Sequence, residues 1–235
     1  PRQIIFRPRP RVCPHVERLM KRVKNKKIYF LAGFPRAGNT LLASILNQNP
    51  DVCCTPNSIT LEIYKDIWNL KHTDVFRNFP DHESLHCVMK AILPAYYENW
   101  NYKYIIDRGP AGTEGNLSLL KKFYGEDIRV IFLVRPILEV LASWIRWMKK
   151  TPDSFIRRHT NSTIKSIYKF LGIPSFKHRF INLDQIMVNG IGYQDEGVLG
   201  KGVHTIHTDK LTKSVTDVSI LPKEIIKQYG KIKFI

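Results

Sequence analysis

The sequence predicts a three-layer α/β/α fold with a mostly parallel central sheet. Three observations lead there. Compact apolar runs, KIYFLAG at 27–33, KYIID at 103–107 and IRVIFLV at 128–134, read as strands buried on both faces. Segments with helical spacing separate them, and strands that alternate with helices build a parallel sheet covered on both sides. The 235 residues are 43% hydrophobic and 11% aromatic, enough for a substantial core in one globular domain spanning 1–235.

The elements follow in order. Residues 1–26 form a basic extension: PRQIIFRPRPRVCP is rich in proline and arginine and reads as extended, and RLMKRVKNKK reads as a short basic helix with a solvated face. KIYFLAG opens the core region, 27–150. NTLLASILNQ has helical spacing and stops near Asn49-Pro50. DVCC suits a short second strand, and SITLEIYKDIWNL an amphipathic helix from about Ser58. Asp81 is placed to cap a helix through LHCVMKAILPAYY. After KYIID come a helix over GNLSLLKKFYG ending at Gly125, the strand IRVIFLV, and a helix from Pro136, where the missing N–H does no harm. The last third, 151–235, holds a helix at TIKSIYKFLG, a glycine-rich loop NGIGYQDEGVLGKG and a closing helix after Leu221-Pro222. No apolar run approaches the ~20 residues a membrane-spanning helix needs, so no membrane span is expected.

The chemistry centres on GFPRAGNTLL, 33–42, which joins a strand to a helix. Gly33 and Gly38 have the spacing of a triphosphate-binding loop and Thr40 stands at its hydroxyl position, but Asn39 replaces the lysine and Arg36 lies inside the loop. Unpaired N–H groups at a helix start, together with the helix dipole, attract an anion, and Arg36 adds a fixed charge. A second clue stands at VIFLVRPILEVLAS. A triphosphatase strand of this kind often ends in an aspartate that helps to hold magnesium, whereas this one ends in Arg135. Ser143, two helical turns beyond Pro136, projects from nearly the same face as the helix start and is expected to share an anion with Arg135. Two phosphate sites, with no loop lysine and no aspartate at this strand end, suit 3′-phosphoadenosine 5′-phosphosulfate (PAPS) better than ATP.

At these motifs the chain resembles the PAPS-dependent sulfotransferases of P-loop-type fold. Their 5′-phosphosulfate loop, P-[KR]-[SA]-G-T-T-[LW], is matched by Pro35, Arg36, Ala37, Gly38, Asn39, Thr40 and Leu41. Their 3′-phosphate motif, an arginine at a strand end and a serine eight residues on, is matched by Arg135 and Ser143. The loop arginine and the Leu-Leu after it are closer to the tyrosylprotein-type branch than to the cytosolic one. The resemblance covers roughly 27–150, with weaker echoes in KSIYKFLGIPSFKHRF and near Lys201, where GKG is similar to a late basic segment that covers the cofactor. It implies in-line transfer of the sulfuryl group of PAPS to an acceptor hydroxyl or amine without metal, leaving adenosine 3′,5′-bisphosphate. Arg36, the loop N–H groups and Thr40 would stabilise charge on the leaving phosphate.

The resemblance does not supply a base. The cytosolic branch carries its histidine in K-T-H-L-P, where this chain has Asp107-Arg108-Gly109-Pro110, and the tyrosylprotein branch carries glutamates where this chain has Thr55-Pro56-Asn57-Ser58. Glu62 and Asp107 are the remaining candidates, with Glu62 preferred, and Arg108 is a candidate for binding sulfate or the acceptor. Only about fifteen residues, KKTPDSFIRRHTNST, join the Arg/Ser helix to the next, fewer than the family usually has.

Three other readings compete. HESLH, 82–86, matches the zinc motif H-E-x-x-H, but Asp81 puts His82 in a first turn and no third ligand follows, so no metal is expected. A nucleotide or small-molecule kinase would use the loop glycines and treat Asp107 as a magnesium ligand. A basic polyanion or nucleic-acid binder would use the net charge of +17 without catalysis, but the interleaved Arg/aromatic pattern of a stacking platform is missing, so nucleic acid is not the expected partner. That charge favours an anionic partner, and the acceptor stays open among acidic peptide, glycan and small molecule. Cys13, Cys53, Cys54 and Cys87 show no framework spacing and read as thiols of a reducing, cytoplasmic setting.

Overall fold

The computed structural model describes residues 18, 21, 26–148, 160–180, 183–193 and 217–230. Its centre is a four-stranded parallel sheet of β1 (Lys27–Gly33), β2 (Val52–Cys54), β3 (Tyr104–Arg108) and β4 (Val130–Leu133) in the order β2-β3-β1-β4. Helix α1 (Asn39–Leu46) links β1 to β2. Helices α2 (Thr60–Asn69), α3 (Asp74–Asn78) and α4 (His82–Tyr96) link β2 to β3, and α5 (Glu114–Tyr124) links β3 to β4. Helices α6 (Ile137–Met148), α7 (Thr160–Leu171) and α8 (Lys223–Tyr229) complete the described helices. None of these is long and apolar enough to cross a membrane.

Alternation along the strands explains the layers. Tyr29 and Leu31 of β1, with Tyr104 and Ile106 of β3, point to one face and pack with Leu42, Ile45 and Leu46 of α1 and Ile164, Tyr168 and Leu171 of α7. Phe30 and Ile105 point to the other face and meet Leu61 of α2, Leu93 of α4, Tyr97 and Leu120 of α5. Leu31, Ile105 and Ile106 are 0% exposed. Each such side chain contributes roughly 1.5–3 kcal/mol by leaving water. The short β2 is fixed by Asn47, just past α1: its Nδ2 donates to the Cys54 carbonyl at 2.9 Å and its Oδ1 accepts from Cys54 N–H at 2.5 Å.

Several caps behave as the sequence suggests. Asp81 accepts from Ser84 N–H at 3.0 Å at the head of α4, and Gly125, at φ 93, closes α5. Three details correct the sequence reading. Helix α3 was not anticipated; its cap, Thr73, accepts from Phe76 N–H, a bond that five residues of weak periodicity do not announce. The start of the expected glycine-rich loop is a hairpin, β5 (Met187–Val188) against β6 (Ile191–Gly192), because Asn189 and Gly190, at φ 54 and 76, make the tight turn that suits strand twist. Cysteine spacing also misled. Cys53 and Cys54 are free and buried, their thiols pushed up by burial, to about 12 for Cys53, but Cys87 is disulfide-bonded. A disulfide belongs with oxidising compartments, so the cysteines no longer speak for the cytoplasm.

Candidate functional site

The sheet order places the carboxyl ends of β3, β1 and β4 side by side, about 4.8 Å apart from strand to strand. Leu31 pairs with Arg108, and Gly33 with Leu133. The loop after β1, the Asp107-Arg108 step and Arg135 therefore share one edge of the sheet, the edge where parallel sheets bind ligands.

The loop turns tightly. Ala37 N–H donates to the Phe34 carbonyl at 3.1 Å, Arg36 takes φ 68 and Gly38 φ 99. A left-handed arginine is uncommon and costs on the order of 1 kcal/mol, so the fold holds this residue against its own preference. Gly38 is the N-cap of α1 and no side chain caps that end, which leaves the first-turn N–H groups available at the helix start. Pro35 is exposed, Arg36, Gly38 and Leu41 are half-buried, and Ala37 and Thr40 are buried.

Asn39, at the position of the missing lysine, turns inward. Its Nδ2 donates to the Phe34 carbonyl at 3.0 Å, so the side chain closes the loop and is not turned to the anion role expected of it. Its Oδ1 is buried without a hydrogen-bond partner and would lie 2.6 Å from a Cβ at Gly33. The Leu133 carbonyl would lie 2.8 Å from that Cβ, so this close approach requires glycine.

Arg36 and the Arg135/Ser143 pair, about a hundred residues apart in sequence, converge here. Arg36 Nε donates to Ser143 Oγ at 3.2 Å, and Arg135 Nη1 donates to the Arg36 carbonyl at 2.6 Å. The serine expected to share an anion with Arg135 faces the loop arginine, and Arg135 supports the strained residue's backbone. Arg135 is 4% exposed, with Glu139 Oε2 at 3.2 Å from its Nε. Burial lowers the pKa of both guanidinium groups, a direction that marks cations held out of water.

The base candidates separate clearly. Asp107 is 0% exposed, and its Oδ2 accepts from Thr60 Oγ1 at 2.5 Å and Tyr97 OH at 2.6 Å. Ser58 completes the cluster, 3.0 Å from Thr60 Oγ1. This is a buried clamp between β3, the start of α2 and the end of α4, and it corrects the idea that Asp107 meets an acceptor directly. Glu62 is exposed in the first turn of the clamped helix. Burial raises the Asp107 pKa, outweighing the three hydroxyls that lower it. A carboxyl raised in the folded state adds stability below its unfolded pKa, and that contribution is lost as pH rises through the folded value. Wild type should therefore lose ground to Asp107→Asn, which keeps an acceptor oxygen, as pH rises above about 4, the unfolded carboxyl value, in urea-midpoint measurements; a constant difference would refute the raised pKa.

His82 and His86 of the zinc-like motif pack edge-on against Phe76 and Phe123, and no cluster of metal-ligating residues occurs among the described residues. Lys201 lies outside the described residues. What sequence reasoning missed is the inward turn of Asn39 and the hydroxyl clamp on Asp107. In comparisons with known proteins, no family model matches the chain and no curated protein matches it.

Proposed function

We propose that the protein is a nucleotide-dependent transferase whose donor carries phosphates at two separated positions, bound along the carboxyl edge of β1 and β4. The donor best suited to it is PAPS, and the reaction is sulfuryl transfer to an acceptor hydroxyl or amine. The observation that carries this reading is the convergence of Arg36, Ser143 and Arg135, with 3.2 Å from Arg36 Nε to Ser143 Oγ and 2.6 Å from Arg135 Nη1 to the Arg36 carbonyl.

The fit is one of charge and shape. Arg36 and the first-turn N–H groups of α1 offer donors to a 5′-phosphate, and Arg135 with Ser143 offers donors to a 3′-phosphate. Once bound, the donor supplies a sulfuryl group whose departure leaves added negative charge on the 5′-phosphate. Arg36, preset by its backbone and by Arg135, stabilises that charge without having to reorganise. On this reading Glu62, exposed in the first turn of α2, takes the acceptor proton.

The kinase reading is weakened by Asp107, whose burial and two hydroxyl partners leave it poorly placed to hold magnesium. Calorimetry separates the possibilities. Adenosine 3′,5′-bisphosphate should bind without added metal and at least about tenfold tighter than AMP, since a second phosphate adds charge-assisted hydrogen bonds. Tighter binding of ATP with magnesium would favour the kinase. A steep salt slope without 3′-phosphate preference would favour the polyanion binder.

A further inference from the structure

Arg108 ends β3 on the sheet face that carries α1 and α7. Tyr104 and Ile106 belong to that face's core, and Arg108 follows them at the same period of two. The strand end is fixed in place: Arg108 N–H donates to Thr55 Oγ1 at 2.8 Å, and its carbonyl accepts from Ser58 N–H at 2.9 Å. The guanidinium itself donates through Nη1 to the Pro56 carbonyl and hydrogen-bonds Tyr193, the residue that leaves the β5–β6 hairpin. Both partners are neutral.

No carboxylate among the described residues forms a salt bridge with Arg108, whereas Arg135 on the same edge has Glu139. Burial lowers the Arg108 pKa, as it does for Arg36 and Arg135. A guanidinium has five N–H groups, and two neutral partners do not use them all. Arg108 is half-buried, and none of its nitrogens is buried without any partner. Among the described residues the site is a partly desolvated cation whose partners are neutral. It also has a position: Arg108 pairs with Leu31, two residues before the loop begins, on the face where α1 starts.

We infer that Arg108 binds an oxyanion of the acceptor, a carboxylate or an ester sulfate or phosphate, so that the acceptor is an acid bearing its nucleophilic hydroxyl or amine on the same molecule. This rests on the sulfuryl-transfer reading for the word acceptor, but the anion site stands on its own geometry. A planar fork with open N–H groups pairs with two oxygens at once, which fixes orientation as well as affinity. The chain's net charge of +17 draws such a ligand in.

The test uses 4-hydroxyphenylacetate, its neutral amide and 4-hydroxyphenyl phosphate, titrated into wild type, Arg108→Gln and Arg108→Lys, with and without adenosine 3′,5′-bisphosphate. Wild type should bind one charged probe at least about tenfold tighter than the amide, the scale of a charge-assisted pair. Arg108→Gln should erase that preference and leave bisphosphate affinity within about twofold. Arg108→Lys, which keeps the charge without the fork, should retain a reduced preference, and it keeps the test readable if the glutamine variant is unstable. Whichever charged probe wins identifies a planar or a tetrahedral oxyanion. Equal binding of charged and neutral probes, no measurable binding of any probe, or an undiminished preference in Arg108→Gln overturns the assignment. Bisphosphate failing to bind while the preference persists would instead remove the nucleotide reading and leave the anion site.

Discussion

Arg135→Ala should weaken binding of adenosine 3′,5′-bisphosphate by about 100-fold, the loss expected when a charge-assisted contact to a phosphate disappears from a buried setting. The residue is 4% exposed and its Nη1 holds the Arg36 carbonyl at 2.6 Å, so its removal takes away both a phosphate donor and the support of a strained loop residue. The variant also strands Glu139, whose carboxylate stands 3.2 Å from Arg135 Nε. The double variant Arg135→Ala/Glu139→Gln separates the two effects: it should recover stability in a thermal melt without recovering nucleotide affinity. If bisphosphate affinity is unchanged in Arg135→Ala, the second phosphate site is elsewhere and the proposed donor is wrong.

Arg36→Ala should lower the turnover of PAPS by about 10²–10³-fold, the range seen when one preorganised donor to a developing oxyanion is lost. Its effect on bisphosphate affinity should be smaller, because the first-turn N–H groups of α1 and Arg135 remain. That split, large in kcat and small in Kd, separates a residue that acts on developing charge from one that only holds the ligand. Arg36→Lys should recover only part of the rate, since an ammonium lacks the Nε donor that reaches Ser143 at 3.2 Å. Equal losses in kcat and affinity would make Arg36 a binding residue and move the search for the stabilising charge elsewhere on this edge.

Much of the fold was legible in the sequence. KIYFLAG became β1 over the same residues, and GNLSLLKKFYG became a helix stopped by Gly125 at φ 93, because apolar periodicity and a glycine stop at positive φ are local properties. The Asn-Gly step at 189–190 was legible too, but the glycines that follow it obscured a two-residue hairpin turn. Arg36, Arg135 and Ser143 could be singled out from type and spacing. Their partnership could not: which of Arg36 and Arg135 meets Ser143 depends on how β1 and β4 lie against each other and on where α6 begins.

The carboxylates show the same boundary from another side. Asp107 and Glu62 were both candidate bases, with Glu62 preferred, while both were only acidic residues near strand or helix ends. Burial separates them, because β3 delivers Asp107 to the face where Thr60 and Tyr97 wait, while α2 leaves Glu62 in solvent. Composition and periodicity by themselves determined an α/β chain with a parallel sheet and a strongly basic composition. Only tertiary structure decided that Asn39 closes the loop, that Asp107 is a clamp, and that Arg108 has only neutral partners among the described residues. The reason is physical: secondary structure follows from contacts a few residues apart, whereas desolvation and pairing depend on strands brought together from across the chain.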